Sequence, residues 1–126
     1  MLLSVMISLA ILCGCSGNHP MKGRVTFEDD GTPLETGFVC FENERAMARG
    51  EIKRDGHYTV GFQNEGDGLP PGTYKIFIAA AMTPDPRDSR RVIYLVHPDQ
   101  CAAATSEWSL EVNGSVRTYD LKVKRP

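Results

Sequence analysis

The chain has 126 residues, a formal net charge of −2, 41% hydrophobic residues and 24% charged residues. This mixture excludes a disordered charged tail, and the slightly negative balance gives no basic surface of the kind that nucleic-acid binding requires. The length suits one compact domain rather than two.

The N-terminal segment is the first feature in chain order. Residues 1–13 read MLLSVMISLAILC, and no charged residue precedes Lys22. The apolar run is shorter than the roughly 20 residues that a membrane-spanning helix needs, and its length is typical of a secretory signal peptide. We therefore predict a signal peptide over residues 1–14.

The stretch LCGC at residues 12–15 resembles the lipobox of bacterial lipoproteins. The resemblance implies cleavage after Gly14, a residue small enough for a narrow protease pocket, and attachment of a diacylglycerol to the thiol of Cys15. Residues 15–21 would then be the lipidated cysteine and a tether. The alternatives are half of a disulfide framework and a metal or redox pair; a metal pair would need further ligands, and only His19 is close.

Period-two alternation of apolar side chains recurs through the rest of the chain and predicts β-strands. Asp55-Gly56 and Asn113-Gly114 are turn signals typical of β-hairpins, whereas the glycines and prolines of segments 64–72 and 83–91 predict loops. Seven or eight short strands predict an all-β fold, a single β-sandwich of immunoglobulin size over residues 22–126. The predicted strands lie at residues 24–28, 38–41, 48–53, 57–62, 74–79, 92–96, 108–112 and 119–123.

Three segments resemble the carboxypeptidase regulatory-like, or transthyretin-like, domains. They are KGRVTFEDDGTPLETGFVCFE (22–42), RDGHYTVGF (54–62) and LPPGTYKIFI (69–78). That family has a Gly-x-Val strand, an Asp-Gly-x-Pro-Leu turn, an Asp-Gly-x-Tyr turn and a strand opened by Pro-Gly-x-Tyr. The resemblance implies a transthyretin-like sandwich and no particular activity. The matching positions are Gly23, Val25, Asp30, Gly31, Pro33, Leu34, Asp55, Gly56, Tyr58, Pro71, Gly72 and Tyr74.

Two enzyme classes share this fold, and the sequence lacks the motifs of both. Resemblance to 5-hydroxyisourate hydrolases would require paired histidines, an arginine and a C-terminal Tyr-Arg-Gly-Ser, but this chain ends in KVKRP. Intradiol dioxygenases would require a His-x-His pair for iron, and the histidines here stand apart at positions 19, 57 and 97. We predict a protein that is not an enzyme, with no catalytic residue and no cofactor; a hydrolase is the lowest-ranked alternative.

Other titratable residues give weaker signals. Asp29-Asp30, or Glu65 with Asp67, could bind calcium, but the ligand spacing of a known calcium loop is absent, so solvated turn acids and no metal are predicted. Both His57, on a solvated strand face, and His97, in a loop, lack a predicted partner for ligand or base chemistry.

Two thiols remain after the predicted processing, Cys40 and Cys101. A disulfide between them would close a long loop and contribute on the order of 3 to 4 kcal/mol in an oxidising compartment. The alternative is a free Cys40 buried within its strand.

Four residues are candidates for ligand contact. Trp108, the only tryptophan, has the spacing of a core residue, but an outward orientation beside Tyr94 or Tyr119 would create a binding surface. The arginines of the predicted 83–91 loop would contact phosphate or an acidic glycan, or would simply be solvated. They are Arg87, Arg90 and Arg91.

The sequence thus predicts a non-enzymatic lipoprotein of the bacterial cell envelope, held in a membrane through the lipid on Cys15. Ser16, rather than aspartate, after the cysteine favours the outer membrane, facing the periplasm or the cell surface. The sandwich would be an interaction module for an unknown envelope protein or glycan. The alternative is a domain that binds carbohydrate or peptide from an envelope or extracellular polymer.

Overall fold

The computed structural model describes residues 17–61, 64 and 66–126. These residues form nine strands and a short 3-10 turn at Pro98–Gln100, and none of them belongs to a helix with the length and apolar character needed to cross a bilayer. The strands are β1 (Lys22–Phe27), β2 (Phe38–Glu42), β3 (Met47–Glu51), β4 (His57–Thr59), β5 (Gly72–Ala79), β6 (Met82–Asp85), β7 (Asp88–Tyr94), β8 (Trp108–Val112) and β9 (Leu121–Val123).

Seven of these strands build two sheets. The first sheet has the order β4-β1-β9, with β1 antiparallel to β4 and parallel to β9. The second sheet has the order β3-β2-β5-β8, and its neighbours are all antiparallel. Side chains from both sheets share one hydrophobic core, which confirms the predicted all-β sandwich.

The core follows the alternation that the sequence predicted. Along β5, Tyr74, Ile76 and Ile78 are buried, and β2 is a central strand between β3 and β5, as its apolar run indicated. The ring of Phe41 lies between the rings of Tyr58 and Tyr74, with centroid separations of 6.5 and 6.4 Å. Aromatic pairs at these distances stabilise a core beyond the area that they bury.

The last two strands do not form the predicted hairpin. The Asn113-Gly114 turn leads from β8 in the second sheet to β9 in the first sheet. After the turn, the chain is held by two backbone hydrogen bonds to Lys22. The N–H of Lys22 donates to the carbonyl of Arg117 at 3.1 Å, and the carbonyl of Lys22 accepts from the N–H of Tyr119 at 2.8 Å. These bonds lead the chain along β1.

The Asp55-Gly56 turn, by contrast, closes a hairpin as predicted, because the backbone N–H of Lys53 donates to the carbonyl of His57 at 2.9 Å and Arg49 forms an antiparallel bridge with Gly61. The strands on either side of it, β3 and β4, nevertheless belong to different sheets.

The segment predicted as the 83–91 loop is mostly strand. Here β6 and β7 pair with each other as a two-stranded sheet, which we call the ribbon, and this pair raises the strand number above the predicted seven or eight. The alternation of Val92, Tyr94 and Val96 in the predicted 92–96 strand indicates one buried face, but Val92 and Tyr94 are 46% and 63% exposed and only Val96 is buried. The alternation across residues 92–96 therefore runs from the ribbon into the body of the sandwich.

Candidate functional site

The N-terminal end of the described chain bears on the predicted anchor. Cys15 and the predicted signal peptide over residues 1–14 lie outside the described residues. Within the predicted tether, His19 and Leu69 exchange two backbone hydrogen bonds of 2.7 and 2.9 Å, and Met21 is a core residue. The folded body therefore already includes part of segment 15–21.

The ribbon has one apolar face that no other strand of the described chain covers. Met82 lies opposite Tyr94, and Pro84 lies opposite Val92, so the four side chains share that face in register. All four are exposed. A contiguous apolar surface of this kind is uncommon on a protein that acts alone.

The three arginines predicted as ligand contacts are in the ribbon near its turn. Arg90 Nε lies 3.3 Å from Asp88 Oδ1, and Arg91 Nε lies 3.9 Å from Asp88 Oδ2. Arg87 is also exposed, and its backbone N–H donates to Asp85 Oδ1 at 2.9 Å. Three arginines against two aspartates leave this end with a net charge of +1.

Trp108, the fourth predicted contact, is half-buried at the start of β8. It packs against the core and also lines an open groove of about 630 Å³, which we call the Trp108 groove. Tyr119 lines the same groove, but the three arginines and Tyr94 do not. The structure therefore separates the predicted contact residues into two surfaces. The charged side chains that line the groove are Arg24, Lys122, Lys124, Glu28, Glu107 and Asp120.

A smaller cavity of about 250 Å³ adjoins this groove, because both are lined by Glu107 and Lys124. We call it the Gln100 cavity. Gln100 is 3% exposed, and its Oε1 accepts the backbone N–H of Lys124 at 2.8 Å. Its Nε2 has no hydrogen-bond partner within the described part of the chain. No sequence pattern pointed to this residue, because Gln100 in the stretch HPDQC belongs to no periodic array of apolar or polar side chains.

Cys40 and Cys101 both carry free thiols, so the disulfide alternative is not realised in this structure. Cys40 is buried in the centre of β2, and that burial raises the pKa of its thiol to about 11. A thiol with this pKa stays protonated near neutral pH and is a poor nucleophile. Cys101 is exposed just after the 3-10 turn, and its Sγ lies 3.4 Å from the carbonyl oxygen of His97.

The predicted solvated histidines have local carboxylate neighbours. His57 Nδ1 lies 2.9 Å from Asp55 Oδ2, and hydrogen bonds from the His57 backbone and side chain lower the pKa of that carboxyl. The Nδ1 atom of His97 accepts the backbone N–H of Asp99 at 3.2 Å and so orders the turn before Gln100.

The acidic pair considered for calcium is engaged by an arginine. Arg125 Nε lies 2.9 Å from Asp29 Oδ2, and its Nη2 lies 3.1 Å from Asp30 Oδ2. The hydroxyl and backbone N–H of Thr32 are the main groups that lower the pKa of Asp30. Across the residues that the structure describes, no group of three or more histidine, cysteine, aspartate or glutamate side chains could hold a metal ion. Glu65 lies outside those residues.

Comparison with known proteins bears on the fold. No protein-family description matches the sequence, and no curated protein matches it. The structure is similar to the major pilin subunit of Bacillus cereus, with a TM-score of 0.55 and 9% sequence identity. The similarity covers 86% of this chain and 30% of the pilin chain. At this identity the likeness shows the fold alone, and the chain spans less than a third of that subunit.

Proposed function

We propose that the protein is a non-enzymatic lipoprotein of the bacterial cell envelope. It is anchored through a lipid on Cys15 and presents the ribbon of its transthyretin-like sandwich to another envelope protein. The observation that carries this proposal is the uncovered apolar face of the ribbon, formed by Met82, Pro84, Val92 and Tyr94. The lipobox-like stretch at residues 12–15 supports the anchor.

The composition of the ribbon favours a protein partner. Methionine, tyrosine and arginine are enriched in protein interfaces, and the exposed side chains of Met82, Tyr94 and Arg90 supply one of each. The net positive charge near the ribbon turn is complementary to a partner that places carboxylates beside an apolar patch. A two-stranded ribbon is marginal in water on its own, so contact with a partner would also stabilise it.

The short connection to the proposed anchor supports display at a membrane surface. Three residues, 16 to 18, separate Cys15 from His19, which already pairs with Leu69. A lipid on Cys15 would therefore keep the sandwich close to the membrane. This geometry suits contact with proteins of the same envelope layer.

Photo-crosslinking in cells tests the ribbon assignment. A crosslinking amino acid replaces Tyr94 in the full-length protein, and the matched control carries it at Thr59, an exposed position of the first sheet. We expect one discrete protein adduct from position 94 and none from position 59. Val92→Ser and Arg90→Glu should each reduce the adduct at least tenfold. Equal adducts from both positions, or an adduct unaffected by these substitutions, would contradict the assignment.

A second candidate function is capture of carbohydrate or peptide from an envelope or extracellular polymer. The observation that favours it is the Trp108 groove, where Trp108 and Tyr119 border an open volume within the usual range of ligand sites. The ribbon and the groove are separate surfaces, so the two candidates can be tested independently. A hydrolase remains the lowest-ranked alternative, because within the described chain no hydroxyl or thiol is hydrogen-bonded to His57.

A further inference from the structure

The side-chain amide of Gln100 is buried, and its Nε2 donor has no hydrogen-bond acceptor among the described residues. Its amide orientation is fixed, because the backbone N–H of Lys124 can only donate and therefore faces Oε1. The Nε2 group consequently stays unpartnered within the described structure while Gln100 is 3% exposed. An amide buried in this way is unfavourable unless an oxygen acceptor occupies the adjoining space.

The space beside Gln100 is lined by groups that both donate and accept. Thr105 Oγ1 donates to the backbone carbonyl of Asp99 at 2.9 Å, which holds the loop against the cavity. The carboxylate of Glu107 and the ammonium of Lys124 make no hydrogen bond or ion pair within the described chain, and both line the cavity. A ligand there would meet a fixed amide donor, a carboxylate acceptor and a mobile ammonium donor.

The Gln100 cavity and the Trp108 groove adjoin each other, and together they make a composite site. They share Glu107 and Lys124, and the groove adds the half-buried rings of Trp108 and Tyr119. One end of this site therefore selects hydrogen-bonding atoms, and the other end offers aromatic surface. Their volumes, about 250 and 630 Å³, accommodate a ligand of more than one ring.

The charge of the site argues against an anionic ligand. The groove contains three basic and three acidic side chains, a sum of zero. The Gln100 cavity contains Asp99 and Glu107 against Lys124, a sum of −1 with His97 neutral. A phosphate or polyanion would therefore be repelled at the end where Gln100 donates. A neutral ligand rich in hydroxyl groups can accept from Nε2 and also donate to the carboxylates.

We propose that this composite site binds a neutral oligosaccharide. Gln100 Nε2 donates to a sugar oxygen, Glu107 accepts from a hydroxyl, and Trp108 contacts the apolar face of a neighbouring sugar ring. This inference rests on the second candidate function and specifies its ligand, with carbohydrate favoured over peptide. It is independent of the ribbon and of the lipid on Cys15.

Intrinsic fluorescence gives a direct test, because Trp108 is the only tryptophan in the chain. The full-length protein is titrated with panels of neutral oligosaccharides, acidic oligosaccharides and short peptides, and emission is recorded alongside calorimetry. We expect a neutral oligosaccharide to bind and to shift the emission of Trp108. Calorimetric binding without a change in emission would place the ligand elsewhere and overturn the inference. No binding by any neutral oligosaccharide would leave only ordered water in the cavity and would also overturn it.

Substitutions separate the sugar inference from the broader function. Gln100→Glu keeps an oxygen for the Lys124 N–H but replaces the Nε2 donor, so we expect binding to weaken at least tenfold. Trp108→Ala should abolish binding. The control that leaves affinity unchanged is Thr59→Ala, at an exposed position that lines neither the Gln100 cavity nor the Trp108 groove. Peptide binding that changes Trp108 emission, without any oligosaccharide binding, would overturn the sugar inference while retaining the second candidate function. If no panel binds, both fail.

Discussion

Tyr58 places a hydroxyl inside the core, where it donates to the backbone carbonyl of Tyr119. Its side chain is 2% exposed, and burial raises its pKa well above the usual value. The unfolded chain loses this proton near pH 10, whereas the folded chain retains it. The stabilisation is therefore complete below about pH 10 and decreases above it, by up to about 1.4 kcal/mol per pH unit from this group.

Tyr58→Phe tests this reasoning. At pH 7 we expect the free energy of unfolding to fall by about 1 kcal/mol, since the carbonyl of Tyr119 loses its hydrogen-bond donor. Above pH 10 the deficit should shrink, because phenylalanine does not titrate and the wild type alone loses stability through this position. Urea unfolding of both proteins between pH 7 and pH 11 measures the difference. A deficit that stays constant or grows with pH would count against a buried, neutral Tyr58.

Gly23 is required by a close approach of two backbone segments. A Cβ atom at this position would lie 2.0 Å from the carbonyl oxygen of Tyr119. We expect Gly23→Ala to lower the free energy of unfolding by about 3 kcal/mol, at the upper end of typical overpacking effects, because neither backbone can move freely. The control is Gly31→Asn, where φ is +72° and no atom lies within 4 Å.

The two glycine variants should differ clearly in stability. Asparagine tolerates a left-handed backbone, so Gly31→Asn should change the free energy of unfolding by less than about 1 kcal/mol. Chemical denaturation of each variant measures this. Similar losses in both would show that the contact between β1 and the segment before β9 is looser than described.

At the scale of elements, the ribbon and the sandwich meet between Tyr94 and Val96. Val92→Ala, on the exposed apolar face of the ribbon, should leave stability within about 0.5 kcal/mol of the wild type. Val96→Ala removes the same atoms from a site that is 1% exposed and should cost about 2 kcal/mol. Thermal unfolding of the two variants measures their losses of stability and so tests where the ribbon ends and the sandwich core begins. Equal losses would indicate that the ribbon packs against the body.

The strands that could be predicted from the sequence are those with at least one buried face. The alternation of β5 and the apolar run of β2 reflect burial that the neighbouring strands impose, so they were visible in the pattern. Apart from residues 92–94, the ribbon was missed because its strand residues within segment 83–91 are largely exposed on both faces and show no period-two alternation of apolar side chains. Pro84 and Pro86 added loop character, although Pro84 occupies a strand of a sheet with no third member.

The wrong hairpin at Asn113-Gly114 has a different origin. The turn itself is as predicted, with φ of +90° at Gly114 and the Ser115 N–H donating to Asn113 Oδ1 at 3.0 Å. The sheet that receives the next strand is decided by distant contacts with Lys22, which no local pattern encodes. Gln100 is similar, since its burial depends on Lys124, a residue 24 positions away. Trp108 could be singled out from the sequence only because it is the one tryptophan in the chain.

At the scale of the whole molecule, three separate regions carry the proposed roles. The predicted anchor is separated from His19 by three residues, and the ribbon exposes its apolar face. The site from Gln100 to Trp108 extends from the 3-10 turn to the start of β8. A single β-sandwich can hold these surfaces apart, because strands at its edges leave room for both a ribbon and a groove. Substitutions in one region should therefore leave the functions of the others intact.

The lipid anchor is the central claim, and metabolic labelling of the full-length protein tests it most directly. Cells expressing the wild type, Cys13→Ser or Cys15→Ser receive a fatty acid that carries a detectable tag. We expect the wild type and Cys13→Ser to incorporate the tag and to fractionate with membranes, while Cys15→Ser loses both properties. Incorporation by Cys15→Ser at the wild-type level would contradict the account.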